Sequence, residues 1–113
     1  MISNRINLSK ADIKELINKI STSKDIRVLD RAEETGKKPS LFFVKIGVDF
    51  TDAINIVKNL SYEDYQYTQL DFTTKFQRMH IFYKDINDKT AYIKIGFLNE
   101  KTIVISFHEK IYD

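Results

Sequence analysis

Apolar positions recur at helical spacing along the first half of the chain and at the two-residue spacing of a strand along the second. Ile13, Leu16, Ile17 and Ile20 share one helical face. Ser9 precedes them as an N-cap, Asp12 follows three residues later in capping-box position, and Leu8 is placed to staple onto Ile13. The spacing predicts an amphipathic helix over 9–21. DIRVLD, 25–30, reads as a short strand, and RAEETGKKPS, 31–40, as a loop. LFFVKIG, 41–47, is ambiguous by period alone. Pro39 suits a first helical turn and Gly47 the position just past a last one, so a short helix is expected. Asp49 and Asp52 repeat the capping spacing ahead of Ala53, Ile54, Val57 and Leu60, the buried stripe of a further helix. Ser61 with Asp64 caps a last short turn through YEDY.

Beyond that turn the chain is β-rich. QRMHIFYKDI, AYIKIGFL and TIVISFH are runs of β-branched and aromatic residues separated by INDKT and NEK. Helices first and a meander last predict one α+β domain over 1–113. Its N-terminal helices pack on one face of a small antiparallel sheet that ends in a three-strand meander. That length suffices for a single core without disulfides or a structural metal. Phe42, Phe43, Phe72, Phe76 and Phe82 are expected in the core. Tyr62, Tyr65 and Tyr67 are expected at the surface, where they could stack on bases.

The last hairpin fixes which side chains share a face. Ala91, Ile93, Ile95 and Phe97 form one set in their strand; Ile103, Ile105 and Phe107 form one in the next, with Val104, Ser106 and His108 opposite. A two-residue loop would set Ile93 against Ser106. A three-residue loop, Asn99-Glu100-Lys101, sets Ile93 on Phe107 and Ile95 on Ile105, and is expected because a one-residue slip turns every side chain over. Tyr92 then lies across from His108 and Lys94 across from Ser106, at the roughly 5 Å Cβ separation of opposed strand positions. For the preceding strand one register brings Lys84 beside Tyr92 and His80 beside Gly96, and a shifted one brings Asp85 and Tyr83 instead. INDKT does not decide between them.

Composition narrows the classes without choosing one. Net charge is +2, from 18 Lys+Arg against 16 Asp+Glu, too mild to mark a nucleic-acid protein by itself. The absence of cysteine excludes a disulfide scaffold and any Cys-based zinc site. Two histidines without an HExxH motif give no metal site, and no GxGxxG, Walker A or GxSxG sequence implies a cofactor. No apolar run approaches the roughly 18 residues of a membrane span, and MISNRINLSK lacks a secretory apolar segment, so a cytoplasmic location away from membranes is expected. Between 75 and 84 lie Lys75, Arg78, Lys84 and His80 with no acid among them, a patch able to hold a few phosphates or simply to face solvent.

A strand face carrying Tyr92, Lys94 and His108 suits metal-independent RNA cleavage. The 2′-hydroxyl must lose a proton, the crowded phosphate needs positive charge nearby, and the 5′-oxygen needs a proton as it leaves. The same residues also suit the ordinary solvated side of an antiparallel sheet.

GVDFTDAINIVKNLSYEDY, IFYKDINDKTAYIKI and VISFHEK, in that order, resemble the motility quorum-sensing regulator (MqsR) family of type II toxins, over roughly residues 41 to 110. The resemblance implies a fold like the RelE and YoeB toxins. It also implies a metal-independent endoribonuclease that cuts mRNA, without cofactor, and is neutralised by a cognate antitoxin protein. Carried over by position, Tyr92 matches the family's strand tyrosine implicated in cleavage, and His108 the place after Ser-Phe where the family has Lys or His. The family's lysine falls on Tyr67, and its glutamine on Met79 or, with a shifted gap, on Gln77. The residues expected to act are Tyr92 and His108, with His80 as a second acid or base. Lys84, Lys94, Arg78, Lys75, Tyr67 and Gln77 are expected to bind RNA and its phosphates. The alternative expectation is a non-catalytic binding module of the same fold that meets an antitoxin or another protein.

Overall fold

The computed structural model describes residues 4–30 and 38–111. The expected loop at 31–40 falls largely outside them. Among the described residues the chain is an α+β fold of three α-helices and a six-stranded, mostly antiparallel sheet. The strands are β1 (Asn4–Ile6), β2 (Ile26–Val28), β3 (Tyr65–Asp71), β4 (Gln77–Ile86), β5 (Lys89–Leu98) and β6 (Lys101–Glu109). They lie in the order β1-β3-β4-β5-β6-β2, and β2 runs parallel to β6. The C-terminal meander is thus the middle of a wider sheet. No described helix is long and apolar enough to cross a membrane.

Each helix begins and ends where its capping chemistry places it. Helix α1 (Lys10–Ser21) starts after Ser9, whose hydroxyl accepts from the Asp12 amide at 3.2 Å. Helix α2 (Pro39–Ile46) has proline in its first turn and stops at Gly47, which adopts φ 73°, a left-handed conformation that glycine takes at no steric cost. Helix α3 (Phe50–Lys58) carries a full capping box between Asp49 and Asp52. A 3₁₀ turn at Tyr62–Asp64 repeats that device with Ser61 and Asp64 and leads into β3.

All three helices feed one core. Leu16 and Ile20 of α1, Phe42, Phe43 and Ile46 of α2, and Ala53 and Val57 of α3 cluster with Phe82, Ala91, Ile93, Ile95, Val104 and Phe107 of the sheet. The register explains the sheet's contribution, since Phe82 lies beside Ile93 and Ile93 beside Phe107 in one row across β4, β5 and β6. Phe43 meets the edge of Phe107 at 4.9 Å between ring centroids, a favoured aromatic geometry.

The last hairpin corrects an expectation, and the one before it decides a register that the sequence left open. The β5–β6 loop has two residues rather than three: Asn99 and Glu100 both hold left-handed φ, 51° and 65°, as such a tight turn requires. At the far end the expected pairs hold, Ile93 with Phe107, Tyr92 with His108 and Lys94 with Ser106. A bulge beside Lys94 and Ile95 reconciles the two registers, and past it Ile95 pairs with Val104 rather than Ile105. Val104 therefore enters the core, while Ile105 turns to the other face beside Gly96. The β4–β5 turn is likewise two residues, Asn87 and Asp88, and this sets Tyr83, not Lys84, beside Tyr92. Phe72, expected in the core, is 68% exposed at the end of β3.

Candidate active site

The sheet has a helix-covered face and an open face, and alternation along the strands sorts the candidate residues between them. Glu109 reaches α2 through an ion pair with Lys45 at 2.7 Å, so its neighbour His108 points the opposite way, onto the open face. Tyr92 and Tyr83 lie in the same row as His108 across β5 and β4. The next row holds Tyr67, Ile81, Lys94 and Ser106. Tyr92, Lys94 and His108 thus share the face expected from the last hairpin, and Tyr67 joins them there from β3.

The centre of this face is a stack. The Tyr92 and His108 rings lie 4.8 Å apart and only 10° from parallel, with Tyr83 6.2 Å from Tyr92 on the other side. His108 Nδ1 sits 3.0 Å from the Glu109 carbonyl. A carbonyl can only accept, so Nδ1 carries the hydrogen and Nε2 is the ring nitrogen able to take a proton. Burial, then the neighbouring Tyr67 phenol through its charge and its hydrogen bond, and then Tyr83, push the Tyr92 phenol well above its ordinary range; Arg5 opposes them weakly. Tyr92 is therefore a neutral hydroxyl at pH 7, suited to giving a hydrogen bond or a proton and unsuited to acting as a phenolate base.

Charge and amide groups gather around the stack from elements that the sequence did not single out. Strand β1 sets Arg5 beside Gln69, and the Arg5 guanidinium lies 4.3 Å over the Tyr67 ring. Gln69 in turn pairs with Met79, so an amide stands beside the position where the resemblance expected a glutamine. Lys110 lies 5.1 Å over the Tyr83 ring, held there because its amide continues the ladder to the Thr90 carbonyl at 2.8 Å. A three-residue strand such as β1 gives no periodic signal, and this is why Arg5 was missed.

The other candidates are elsewhere. His80 faces the helices, and only 6% of it is exposed. Its Nδ1 lies 2.8 Å from the Thr68 hydroxyl, and burial first, then Arg78 and Lys19, push its pKa down to about 4. It is a neutral, packed imidazole on the wrong side of the sheet to share a substrate with Tyr92 and His108. Lys84 also faces the helices and pairs with Asp64 at 3.4 Å. Arg78 and Gln77 line a cavity beside His80, and Lys75 reaches toward the Phe76 ring. The basic run at 75–84 is thus dispersed rather than gathered into one phosphate patch. Among the described residues no group of three or more His, Asp or Glu is arranged to hold a metal ion.

No protein-family model matches the chain, and no curated protein matches it either.

Proposed function

We propose that the chain is a metal-independent endoribonuclease that cuts mRNA, a toxin of the MqsR kind acting in the cytoplasm and restrained by a cognate antitoxin. The observation that carries this reading is the parallel stack of Tyr92 on His108, with the His108 tautomer fixed so that Nε2 can accept a proton. In the proposed step His108 Nε2 takes the proton of the 2′-hydroxyl as its oxygen attacks phosphorus. The bond to the 5′-oxygen breaks, leaving a 2′,3′-cyclic phosphate and a 5′-hydroxyl end. The neutral Tyr92 hydroxyl gives its proton to the leaving 5′-oxygen and recovers one from solvent, and Lys94, Lys110 and Arg5 supply positive charge around the phosphate. Tyr83 and Tyr67 offer ring faces on which flanking bases can stack.

The segregation of the sheet also supports a RelE-like arrangement, with helices on one side and reactive residues on the other. Tyr67, Tyr92 and His108, matched to the family's site, fall on one face together with Met79, one of the two positions, with Gln77, matched to its glutamine. Arg5 over Tyr67 and Gln69 beside Met79 stand in for the lysine and glutamine that this chain lacks.

Those same two replacements favour a second reading, a binding module of this fold that holds RNA or an antitoxin without cutting. One experiment separates the readings. Purified protein is incubated with a long RNA in EDTA, and new ends are mapped, beside the Tyr92→Phe and His108→Ala variants. Cleavage that leaves 5′-hydroxyl ends and fails in the variants is the expected result. RNA that stays intact with wild-type protein, alone and in translating extract, overturns the nuclease and leaves the binding module.

A further inference from the structure

The helix-covered side of the sheet holds a cavity of about 510 Å³ that the proposed cleavage does not use. It opens between α1 and the β3–β4 connection, and its size is within the roughly 300–1,000 Å³ of small-molecule sites. His80 lines it, and the hydrogen bonds behind His80 fix what that residue presents. The Leu8 amide donates to the Tyr65 hydroxyl at 3.2 Å, the Tyr65 and Thr68 hydroxyls lie 2.8 Å apart, and the Thr68 hydroxyl lies 2.8 Å from His80 Nδ1. Because Tyr65 already accepts from Leu8, its own hydrogen is free to go to Thr68 and that of Thr68 to Nδ1. Run in this direction the chain satisfies every member, and it leaves the imidazole hydrogen on Nε2. Among the described residues no buried side-chain nitrogen or oxygen lacks a partner, so Nε2, which has none in the protein, reaches the cavity. A residue only 6% exposed thus aims one N–H donor into an open space.

The surrounding groups define what that donor would meet. Arg78 and Lys19 line the cavity and are the charges that act on the imidazole, so the wall around His80 is cationic. Phe72 lines the cavity as well and presents an unusually exposed ring, whereas the Phe76 ring packs against Gly96 on the other face of the sheet. Gln77 offers an amide that both donates and accepts. Asp12 and Glu15 complete the lining from α1 and suit the amino groups of a base better than a phosphate.

We propose that this cavity binds a nucleoside monophosphate, with its phosphate on His80 Nε2, Arg78 and Lys19 and its base against Phe72. The buried, relay-held imidazole, with one ring nitrogen left toward the cavity, is the reason to expect a built site. The occupant is a free mononucleotide or the 5′-phosphorylated end of an RNA. The site does not depend on the nuclease reading, because it lies across the sheet from Tyr92 and His108.

The test is a titration followed by amide and ring chemical shifts. The probes are AMP, adenosine, inorganic phosphate, and a short 2′-O-methyl RNA with or without a 5′-phosphate, which resists 2′-hydroxyl attack. AMP is expected to bind more tightly than adenosine or phosphate, moving signals of Lys19 and Phe97 and leaving those of Tyr92 and His108 in place. Phe72→Ala and Arg78→Glu change exposed residues, so they should keep the fold and weaken AMP about fivefold or more, the lower bound for losing one base stack. Binding of the 5′-phosphorylated RNA as tightly as AMP assigns the occupant to an RNA end, and binding of AMP alone assigns it to the free nucleotide. Phosphate binding as well as AMP, shifts centred on Tyr92, undiminished binding in both variants, or no shifts at all would overturn the proposal.

Discussion

His80 and His108 belong to the same sheet, two strands apart, and differ in nearly everything that decides what an imidazole does. His80 points toward the helices, is sealed to 6% exposure, takes a hydrogen bond from a hydroxyl relay, and is pushed down to about 4. His108 points away from them, is half-buried, gives its Nδ1 hydrogen to a backbone carbonyl, and stacks on a neutral tyrosine. Two-residue alternation along neighbouring strands produces both environments from one sheet. A titratable side chain on the packed face is stabilised in its neutral form by burial, whereas one on the open face keeps access to substrate and proton. The residue type alone does not distinguish them; the register does.

The largest expected effect tests the open-face half of that contrast. His108→Ala should lower RNA cleavage by about 10²–10⁴-fold, the usual contribution of a general acid or base. Its melting temperature should stay near the wild-type value, because the ring is half-buried on the open face and outside the core cluster. Full activity in the variant, measured by end-mapped cleavage, would remove His108 from the mechanism.

The adjacent residue should behave in the opposite way. Phe107 is fully buried and packs against Phe42 and Phe43. Phe107→Ala should cost about 3–5 kcal/mol, the range for deleting a core phenyl group, read as a lower urea midpoint. Comparable losses of stability at 107 and 108 would mean that the two faces are not as distinct as the register makes them.

The sequence revealed the helices and the last hairpin more readily than the width of the sheet, for identifiable reasons. The caps at Ser9, Asp49 and Ser61, Pro39 and Gly47 are local chemistry, and each element began or ended where they stand. Tyr92 opposite His108 followed from requiring Ile93 to meet Phe107, a constraint that the core imposes. The bulge beside Lys94 was invisible because two incompatible registers each satisfied part of the pattern, and the fold uses both. Strand β3, YQYTQLD, alternates aromatic and polar residues too evenly to declare a buried face, so its place beside β4 was missed and Arg5 and Gln69 with it. His80 could be assigned to the packed face only after the two-residue turn at Asn87 and Asp88 had set its strand's register.

The packed histidine predicts a pH dependence. In the unfolded chain His80 should titrate near 6.5, whereas in the fold it resists protonation down to about 4. Between those values the unfolded state binds the proton and the folded state does not, so stability rises with pH. The His80 contribution is fully present above about 6.5 and falls away toward 4, a loss of about 3 kcal/mol across that window. Urea unfolding at pH 7, 5 and 4 reads it directly. His108→Ala should keep this slope, and His80→Gln should flatten it even if its stability at pH 7 is lower. An unchanged slope in His80→Gln would place the dependence on other groups and weaken the contrast between the two histidines.

The smallest effect separates two lysines that the sequence offered for the same task. Lys84 pairs with Asp64 on the packed side, where Asp64 also accepts from the Ser61 amide at 2.8 Å and from its hydroxyl. Removing the ammonium leaves that carboxylate partnered, so Lys84→Ala should cost only about 0.2–1 kcal/mol, as for exposed ion pairs. Lys94 stands in the open-face row with Tyr67 and Ser106. If RNA crosses that face, Lys94→Ala should reduce the slope of log affinity against log salt by about 0.7, the value for one phosphate contact on a single strand. Lys84→Ala should leave the slope unchanged. Binding to an uncleavable 2′-O-methyl RNA over a salt series reads both, and a slope altered by Lys84 but not Lys94 would move the RNA to the other face of the sheet.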